Sequence, residues 1–251
     1  RFLLAWALLE KSHPPPSPSY FTGYDTDKEA LKIAESRSLE KMHWICSDAL
    51  FASELDSPNQ FDIIIGNPPY IESRDIPDAY WNDLRYKFDC AFGKFDLSVV
   101  FLERIITLLR IGGWAGLILS NKWLVSNYGE KIRRLLLRIA HIHLIIDASH
   151  WKVFKGIDTY PVIIIFQKIS TIADSPDISK HKVKILNSTE PIDLISDKSR
   201  KSSTLELIST MISQSFFSKL PHSIISTQLT ATDCKFLTHL LQIPQVNGFF
   251  L

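Results

Sequence analysis

Three short apolar runs, each followed by a polar residue, recur at nearly equal spacing along the chain. The polar residues are Asp25, Asp48 and Asn67, which lie 23 and then 19 residues apart. Runs of this length predict buried strands, and apolar residues at helical spacing follow the first of them. Because parallel strands joined by helices bring their carboxyl ends to one edge of a sheet, the spacing predicts an α/β fold with these three residues at that edge.

The segment after the third run carries the most specific chemistry. The apolar run 63–65 predicts a buried strand, and Pro68 and Pro69 cannot extend a strand ladder. The side-chain carbonyl of Asn67 and the backbone carbonyl of Pro68 are two acceptors that together suit a planar NH₂ group. Tyr70 supplies a flat face on which a planar ring can stack. A plain strand-to-loop turn with a buried tyrosine is the alternative interpretation.

Asn67-Pro68-Pro69-Tyr70 after an apolar strand resembles the catalytic motif of S-adenosylmethionine-dependent amino-methyltransferases. The pattern is most similar to the adenine-N6 DNA methyltransferases of restriction–modification systems, including fused type IIG enzymes. The resemblance covers about residues 1–170 and implies a Rossmann-like S-adenosylmethionine-dependent methyltransferase sheet. It also implies double-stranded DNA with one flipped adenine as the partner, and a fused or separate endonuclease and specificity parts.

The resemblance assigns roles to single residues as well. Asp25 matches the acidic residue that binds the cofactor ribose, and Asp48 matches the one that accepts from the cofactor adenine NH₂. Phe101 matches the aromatic residue that packs near that adenine. Phe154 matches the phenylalanine that stacks on the flipped base opposite Tyr70. Turns and helix caps are the alternative roles for the aspartates, and the core is the alternative for the phenylalanines.

One part of the family pattern is missing from the 251 residues. The glycine-rich loop Asp-Pro-x-Cys-Gly-Ser-Gly should precede Phe2-Leu3-Leu4, and the sequence does not contain it. In the family this loop follows the first, central strand and cradles the methionine end of the cofactor. Without that strand its neighbours lose hydrogen-bond partners. We therefore expect a fragment with the first strand missing, which alone binds the cofactor poorly and is inactive.

Further elements are predicted from periodicity and from helix-breaking residues. The stretch 71–96 is charged and rich in aromatic residues, which predicts either an irregular loop over the substrate mouth or a surface excursion with its aromatic residues packed inward. The pattern at 97–109 predicts a helix that Gly112 and Gly113 terminate. A helix at 128–140 has a basic side, which fits phosphate contacts or a solvated face. The residues of that side are Lys131, Arg133, Arg134 and Arg138.

The composition changes near Ser170, after which serine and threonine are frequent and glycine is almost absent. We place a domain boundary there, with the methyltransferase catalytic domain at 1–169. In the family a target-recognition domain follows, so 170–251 is expected to be a linker and the start of that domain. Within it, helical patterns occur at 205–208 and 236–241. Strands are predicted before the boundary at 20–24, 44–46, 114–119, 144–146 and 160–166.

Composition limits the broader class of protein. A chain of 251 residues with 45% apolar content is long enough for one large domain, or for one domain plus part of another. The net charge of +1 gives no overall nucleic-acid signature. The sparse cysteines Cys46, Cys90 and Cys234 fit no metal spacing and favour a reducing, cytoplasmic compartment. No apolar run reaches the roughly 18 residues of a membrane span.

Two other functions stay open on the sequence alone. Protein glutamine N5-methyltransferases share the Asn-Pro-Pro-Tyr motif, although they lack the long insertion after Tyr70, the block at Phe154 and about 80 further residues. An inactive, truncated remnant is the other alternative, and the missing glycine-rich loop favours it.

Overall fold

The computed structural model describes residues 21–37, 42–149, 160–171, 178, 180–187 and 208–241. The chain divides into two units between Pro58 and Asn59. The first unit contains strand β1 (Phe21–Asp25), helix α1 (Lys28–Arg37), strand β2 (Met42–Cys46) and a 3-10 turn at Ser53–Leu55. The two strands are parallel and form a sheet of their own, in which Asp25 lies opposite Cys46.

The second unit contains six strands and five α-helices among its described residues. The strands are β3 (Phe61–Gly66), β4 (Leu109–Ser120), β5 (Ala140–Asp147), β6 (Pro161–Lys168), β7 (Lys182–Asn187) and β8 (Ile208–Ser213). The helices are α2 (Asp78–Lys87), α3 (Leu97–Leu108), α4 (Glu130–Ile139), α5 (Gln214–Lys219) and α6 (Ala231–Leu240). Short 3-10 turns lie at Ser73–Asp75, Asn121–Leu124, Asn127–Gly129 and Pro221–Ser223.

The six strands form one sheet with the order β3-β4-β6-β5-β7-β8. β3 is parallel to β4, and β5 is parallel to β7. β6 is antiparallel to both β4 and β5, and β8 is antiparallel to β7. The carboxyl ends of β3, β4, β5 and β7 therefore share one edge of the sheet, which we call the carboxyl edge.

One face of this sheet carries much of the core. Helix α3 contacts β4 and helix α4 contacts β5. Alternate residues of β4 and β6 are buried on this face, namely Ala115, Leu117, Leu119, Val162, Ile164 and Phe166. Because a fully buried aliphatic or aromatic side chain contributes about 1.5–3 kcal/mol, this packing fixes the strands and hence the loops at their carboxyl ends.

The strand predicted at 63–65 forms as β3, but the expectation that it is buried is wrong. Ile63 and Ile65 are 55% and 46% exposed. β3 is an edge strand of its sheet, and within the described residues it pairs with β4 alone. An apolar run predicts a strand from local pattern, whereas burial depends on neighbours that the run does not specify.

The stretch 71–96 is more regular than the sequence indicates. It contains helix α2, which begins after Pro77 and buries Leu84 completely. The Trp81 ring stacks on Phe95 with centroids 6.1 Å apart, and the Arg85 guanidinium lies 4.5 Å from the Trp81 ring centroid. The expectation of an irregular loop is therefore wrong for this helix, whereas inward packing of aromatic residues is confirmed at Phe95, which is fully buried.

Gly112 and Gly113 do not end a helix, contrary to the prediction. Helix α3 ends before Leu109, and β4 runs through both glycines. The pairing moves from Phe61–Leu109 to Ile63–Trp114, so β4 contains an irregularity at this point. Gly112 has φ +84, and a Cβ on Gly113 would lie 3.0 Å from the Asp62 carbonyl oxygen. The glycines are required by this bulge rather than by a helix end.

The basic side predicted for the helix at 128–140 is only partly solvated. Lys131, Arg134 and Arg138 are exposed on α4, but Arg133 is completely buried. The Arg133 guanidinium donates to the carbonyl oxygens of Trp123 and Ser126 at 2.5 and 2.7 Å, and to that of His222 at 2.9 Å. The prediction fails at Arg133 because these acceptors lie in segments that helix periodicity does not reveal.

The boundary predicted near Ser170 does not coincide with a break in the sheet. Strands β7 and β8 lie after Ser170, and β7 pairs in parallel with β5. Ile208 belongs to strand β8, so the helical pattern predicted at 205–208 is wrong at this residue. The change in serine and threonine content does not mark the end of the sheet, because β5 needs hydrogen-bond partners on its second side and β7 supplies them.

The other predicted elements are confirmed within one to five residues at their ends. These elements are β1, β2, the start of α3, β4, α4, β5, β6 and α6. Asp27 caps α1, because its Oδ1 accepts from the backbone N–H groups of Glu29 and Ala30 at 2.9 and 3.3 Å.

Candidate active site at the carboxyl edge

The Asn67–Tyr70 motif lies directly after β3, at the carboxyl edge. Pro68 is buried, whereas Asn67 and Pro69 are exposed. The chain after the motif is fixed to the start of α3, because the Leu97 N–H donates to the Ile71 carbonyl at 2.9 Å. The motif is thus a short loop held at both ends, and the Asn67 amide has no hydrogen-bond partner within the described residues.

Tyr70 is half-buried, and its hydroxyl is a weaker acid than usual. Burial raises the pKa of Tyr70, and the nearby negative charge of Asp96 raises it further. The ring therefore remains neutral at physiological pH. A neutral, half-buried phenol is suited to stacking against a planar group.

Asp96 is a buried carboxylic acid beside the motif. Its Oδ1 accepts from the Ser98 N–H at 2.8 Å and so caps the first turn of α3. Burial raises the pKa of Asp96, although the bond from the Ser98 backbone opposes that shift. The same charge raises the pKa of Tyr128, for which burial is the larger cause. Asp96 therefore lies near both tyrosines and anchors the helix that supports the motif.

An ion-pair network joins the segment after the motif to the segment after β4. Lys122 Nζ lies 2.5 Å from Glu72 Oε1, and Arg74 Nη2 lies 3.1 Å from Glu72 Oε2. The hydrogen bond from Lys122 holds the pKa of Glu72 below its usual range, and the positive charges of Lys122 and Arg74 add to this effect. Because these ion pairs are solvent-accessible, they add little to the stability of the fold. Their main effect is to fix the position of the loop after the motif.

Asn121 follows β4 at the same edge, and Asp147 ends β5. A hydrogen-bonded chain joins them through Ser149, with 2.9 Å from Asn121 Nδ2 to Ser149 Oγ and 2.5 Å from Ser149 Oγ to Asp147 Oδ1. The family resemblance includes a strand followed by serine or proline and then asparagine, which Ser120 and Asn121 match, but sequence reasoning gave Asn121 no role and did not single out Ser149 or Asp147. A polar residue after the apolar run of β4 was the available signal for Asn121, and no local signal links it to Asp147.

In the first unit, Asp25 and Asp48 lie at the carboxyl ends of β1 and β2. The Ser47 N–H donates to the Asp25 carbonyl at 3.1 Å, which holds the two strand ends together. Asp25 Oδ1 accepts from the Asp27 N–H, and Asp48 Oδ1 accepts from the Leu50 N–H, both at 2.9 Å. Each carboxylate therefore shapes a turn through one oxygen, and the second oxygen of Asp25 has no partner among the described residues.

The two predicted phenylalanines differ in what the structure describes. Phe101 lies on α3 and is half-buried, between the fully buried Val100 and Leu102. Phe154 lies outside the described residues.

Within the described part of the chain there is no cluster of histidine, cysteine and carboxylate groups that could hold a metal ion. The helices described there are also too short or too polar to cross a membrane.

The fold defines a class of protein. The structure resembles that of a Listeria monocytogenes protein assigned to the class I S-adenosylmethionine-dependent methyltransferases, with a TM-score of 0.56 at 17% identity over 76% of this chain and 55% of that one. It resembles a type I restriction-modification methyltransferase subunit from Streptococcus thermophilus with a TM-score of 0.61 at 17% identity, over 89% of this chain and 50% of that one. The fold is therefore that of the S-adenosylmethionine-dependent methyltransferases.

The sequence then identifies the family. Residues 19–154 match the Eco57I restriction-modification methylase family, and the chain belongs to it. The type II methyltransferase M.BanIII of Aneurinibacillus aneurinilyticus is 32% identical over 149 residues, which are 53% of this chain and 26% of the relative. M.PaeR7I of Pseudomonas aeruginosa is 28% identical over 142 residues, 55% of this chain and 24% of the relative. The chain thus spans about a quarter of the length of these curated relatives.

Proposed function

We propose that this chain carries the catalytic motif of a site-specific DNA methyltransferase that transfers a methyl group from S-adenosylmethionine to adenine N6. The observation that carries the proposal is the Asn67–Tyr70 loop at the carboxyl edge, in a member of a restriction-modification methylase family. The loop combines an exposed amide, a proline carbonyl and a half-buried aromatic ring.

The two acceptors of the motif perform the chemical work of the chain. Asn67 Oδ1 and the Pro68 carbonyl each accept one N–H of the target amine, which orients its lone pair outward. S-adenosylmethionine, when bound, would supply an electrophilic methyl group, whose bond to sulfur breaks to leave a neutral thioether. As the amine nitrogen gains positive charge, the same two acceptors stabilise it, and the excess proton passes to water because the methylated nitrogen is strongly acidic. The catalysis is therefore positioning and stabilisation of developing charge.

The aromatic residues would hold the base while this happens. An adenine extruded from the duplex loses its stacking, and the Tyr70 ring restores part of that energy. The neutral phenol described above suits this contact. We assign the second stacking face to Phe154, the motif match that lies outside the described residues.

Asp25 and Asp48 are proposed as cofactor ligands in the first unit. The unpartnered oxygen of Asp25 can accept from a ribose hydroxyl, which is the common use of an acidic residue at the end of such a strand. Asp48 is assigned to the adenine NH₂ of the cofactor, and Phe101 to contact with the adenine ring. The chemistry of these donors and acceptors fits S-adenosylmethionine, whose adenosine half carries those groups.

The partners follow from the same assignment. A relative from Escherichia coli, RM.Eco57I, is a type II restriction enzyme and methyltransferase and is 30% identical over 112 residues, 43% of this chain and 11% of the relative. We propose double-stranded DNA with one flipped adenine as the substrate, with endonuclease and specificity functions in the same or a separate polypeptide. Residues 170–251 are proposed to begin the target-recognition region, although β7 and β8 extend the catalytic sheet.

Transfer of a labelled methyl group tests this function. The protein to use is the longest polypeptide encoded in frame with this chain, because the 251 residues lack the glycine-rich loop. We expect label in duplex DNA and none in protein, and we expect the 251-residue chain alone to be inactive. Label in a glutamine side chain of a protein substrate would instead support the glutamine methyltransferases that share the motif.

A further inference from the structure

A continuous chain of hydrogen bonds runs along the carboxyl edge from β4 to a segment 80 residues after β5. Asn121 donates to Ser149, and Ser149 donates to Asp147 through both its hydroxyl and its N–H. The other oxygen of Asp147 accepts from Thr227 Oγ1 at 2.7 Å. Asp147 and Thr227 are 7% and 8% exposed, so the bond between them is shielded from water, whereas Asn121 and Ser149 are half-buried.

The direction of each bond in this chain follows from the donors that are available. Both oxygens of Asp147 accept, so the single hydroxyl proton of Ser149 points to Asp147. The Ser149 oxygen must therefore accept from Asn121, and only the NH₂ group of the Asn121 amide can donate. This excludes the flipped amide orientation, which is otherwise hard to assign. The Asn121 carbonyl oxygen then points away from Ser149, and it has no partner within the described residues.

The fixed amide lies at the same sheet edge as the catalytic motif. β3 and β4 are parallel neighbours with Gly66 opposite Leu117, so Asn67 continues the register of Ile118, and Asn121 lies three residues further along, about 10 Å beyond that point. Asn67 follows the first strand and Asn121 follows the second, at the same edge. The Asn121 N–H also donates to the Tyr160 carbonyl at 2.8 Å, so both backbone and side chain are held. Asn121 is half-buried and remains accessible from that edge.

The far end of this hydrogen-bonded chain, at Thr227, is also held by bonds to other segments. The Ile225 N–H donates to the Leu124 carbonyl at 3.0 Å, and Asn187 Nδ2 donates to the Thr227 carbonyl at 2.6 Å. Thr227 therefore belongs to a segment that crosses the carboxyl edge and is tied to the segment after β4 and to the end of β7. No such network is needed to hold an ordinary surface asparagine, so the arrangement indicates that the orientation of Asn121 matters.

We propose that Asn121 is a second substrate-contacting amide of this site, with its carbonyl oxygen presented to an N–H donor on a DNA base edge at or next to the methylated adenine. Ser149, Asp147 and Thr227 are positioning residues that hold the amide in this orientation. The inference rests on the proposed function, because it takes DNA as the substrate. It adds an acceptor that neither the motif nor the family match assigns.

The test compares Ser149→Ala with Ser149→Thr in the longest in-frame polypeptide. Ser149→Ala removes the acceptor that fixes the Asn121 amide, whereas Ser149→Thr keeps a hydroxyl. We expect Ser149→Ala to raise the KM for DNA about 3- to 10-fold, the range that one hydrogen bond contributes, with kcat and the thermal midpoint close to wild type. Asn121→Ala should raise it at least as much, and Ser149→Thr should restore the wild-type KM.

The outcomes separate this inference from the proposed function. If wild type methylates DNA and Asn67→Ala does not, the proposed function holds. Equal KM values for wild type, Asn121→Ala and Ser149→Ala would then overturn the inference alone. A fall in the thermal midpoint that Ser149→Thr shares would also overturn it, because it would show a purely structural role. If wild type transfers no methyl group to DNA, both proposals fail together.

Discussion

The loops that follow β3 and β4 lie at the same edge of one sheet but are held very differently. After β3, the Asn67 amide is exposed and makes no hydrogen bond within the described residues. After β4, the Asn121 side chain and backbone are both bonded, and the chain continues through Ser149 to Asp147. If Asn67 binds the target amine as proposed, its amide is left open for the substrate, whereas Asn121 is held in one orientation with only its carbonyl oxygen left to accept.

The same comparison distinguishes residues that are proposed to act on the substrate from buried residues that hold the surrounding segments in place, which we call the supports. Arg133 and Asp96 are buried and hold segments near the carboxyl edge through carbonyl and N–H groups. Lys168 is also buried and acts in the same way at the opposite edge of the sheet, where it pairs with Ala140 at the start of β5. Lys168 Nζ donates to the carbonyl oxygens of Ile106 and Leu109, both at 2.8 Å, at the end of α3. Changes in the open loop should therefore affect rate, and changes in the supports should affect stability.

The largest expected effect concerns the open loop. Asn67→Ala removes one of the two acceptors for the amine, so the rate of methyl transfer should fall about 100- to 1,000-fold, the usual cost of one charge-stabilising group. DNA and cofactor affinities should change little. Asn127→Ala, an exposed asparagine of the same sheet edge region, is the matched control and should leave the rate unchanged. Loss of cofactor affinity in Asn67→Ala would move Asn67 from the open loop to the supports.

The next effect concerns a support. Arg133→Met removes the guanidinium donor to the carbonyl oxygens of Trp123, Ser126 and His222, so the free energy of unfolding should fall by about 3 kcal/mol. Urea denaturation measures this change. Arg134→Met removes a neighbouring arginine whose side chain is 65% exposed and paired with Glu130, and should cost less than about 1 kcal/mol. Similar losses for the two variants would contradict the account of Arg133 as a buried support.

A third prediction extends the comparison to the first unit. Asp25→Ala should weaken S-adenosylmethionine binding about tenfold, because a charged hydrogen bond to the ribose is lost. Asp27→Ala removes only the helix cap and should lower stability by about 1 kcal/mol without a comparable change in affinity. Calorimetric titration of both variants, in the longest in-frame polypeptide, distinguishes the two aspartates. Equal affinity for S-adenosylmethionine in wild type and Asp25→Ala would show that Asp25 only stabilises its turn and does not bind the cofactor.

The smallest effect is a dependence of stability on pH. His141, His143 and His181 form a ring cluster on the sheet, with His141 and His181 stacked 4.1 Å apart. Burial first, and then the neighbouring His181, lower the pKa of His141 and of His143. The unfolded chain therefore binds these protons more readily, and stability present above about pH 6.5 is lost as the pH falls through that value.

A double variant isolates the contribution of these histidines to the pH dependence of stability. In His141→Gln with His143→Gln, the loss of stability between pH 7.5 and pH 5.5 should be smaller than in wild type. The carboxyl groups of Asp96 and Glu103, whose pKa values burial raises, contribute with the opposite sign and cancel in the comparison. His239→Gln, an exposed control, should keep the wild-type dependence. An unchanged dependence in the double variant would refute the assignment to the histidine cluster.

The strand ends were predictable because they are local. Asp25, Asp48 and Asn67 each follow an apolar run, and the structure places each at or just after the end of a strand, Asp25 and Asp48 in the first unit and Asn67 in the second. The family match confirms the resemblance to the restriction-modification methylases, and the roles of the motif residues and of the two aspartates remain predictions. The assignments of Phe101 and Phe154 remain predictions, since contact with a cofactor or a base is a matter of tertiary position rather than of local pattern.

The supports were not predictable because their partners are distant in sequence. Arg133 bonds to His222, 89 residues away, and Asp147 bonds to Thr227, 80 residues away. Helix periodicity placed Arg133 on a basic side, and only the tertiary fold brings three carbonyl groups to it. The exposure of Ile63 was also not predictable from local sequence. An edge strand and a central strand have the same local pattern and differ only in their neighbours in the sheet.

Nucleoside analysis of methylated DNA tests the central claim most directly. Plasmid DNA would be incubated with S-adenosylmethionine and the longest in-frame polypeptide, digested to nucleosides and separated by mass. We predict N6-methyladenine as the product, formed about 100- to 1,000-fold more slowly with Asn67→Ala. Methylated cytosine, or N6-methyladenine formed at an unchanged rate by Asn67→Ala, would contradict the assignment of the open loop after β3 to the adenine amine.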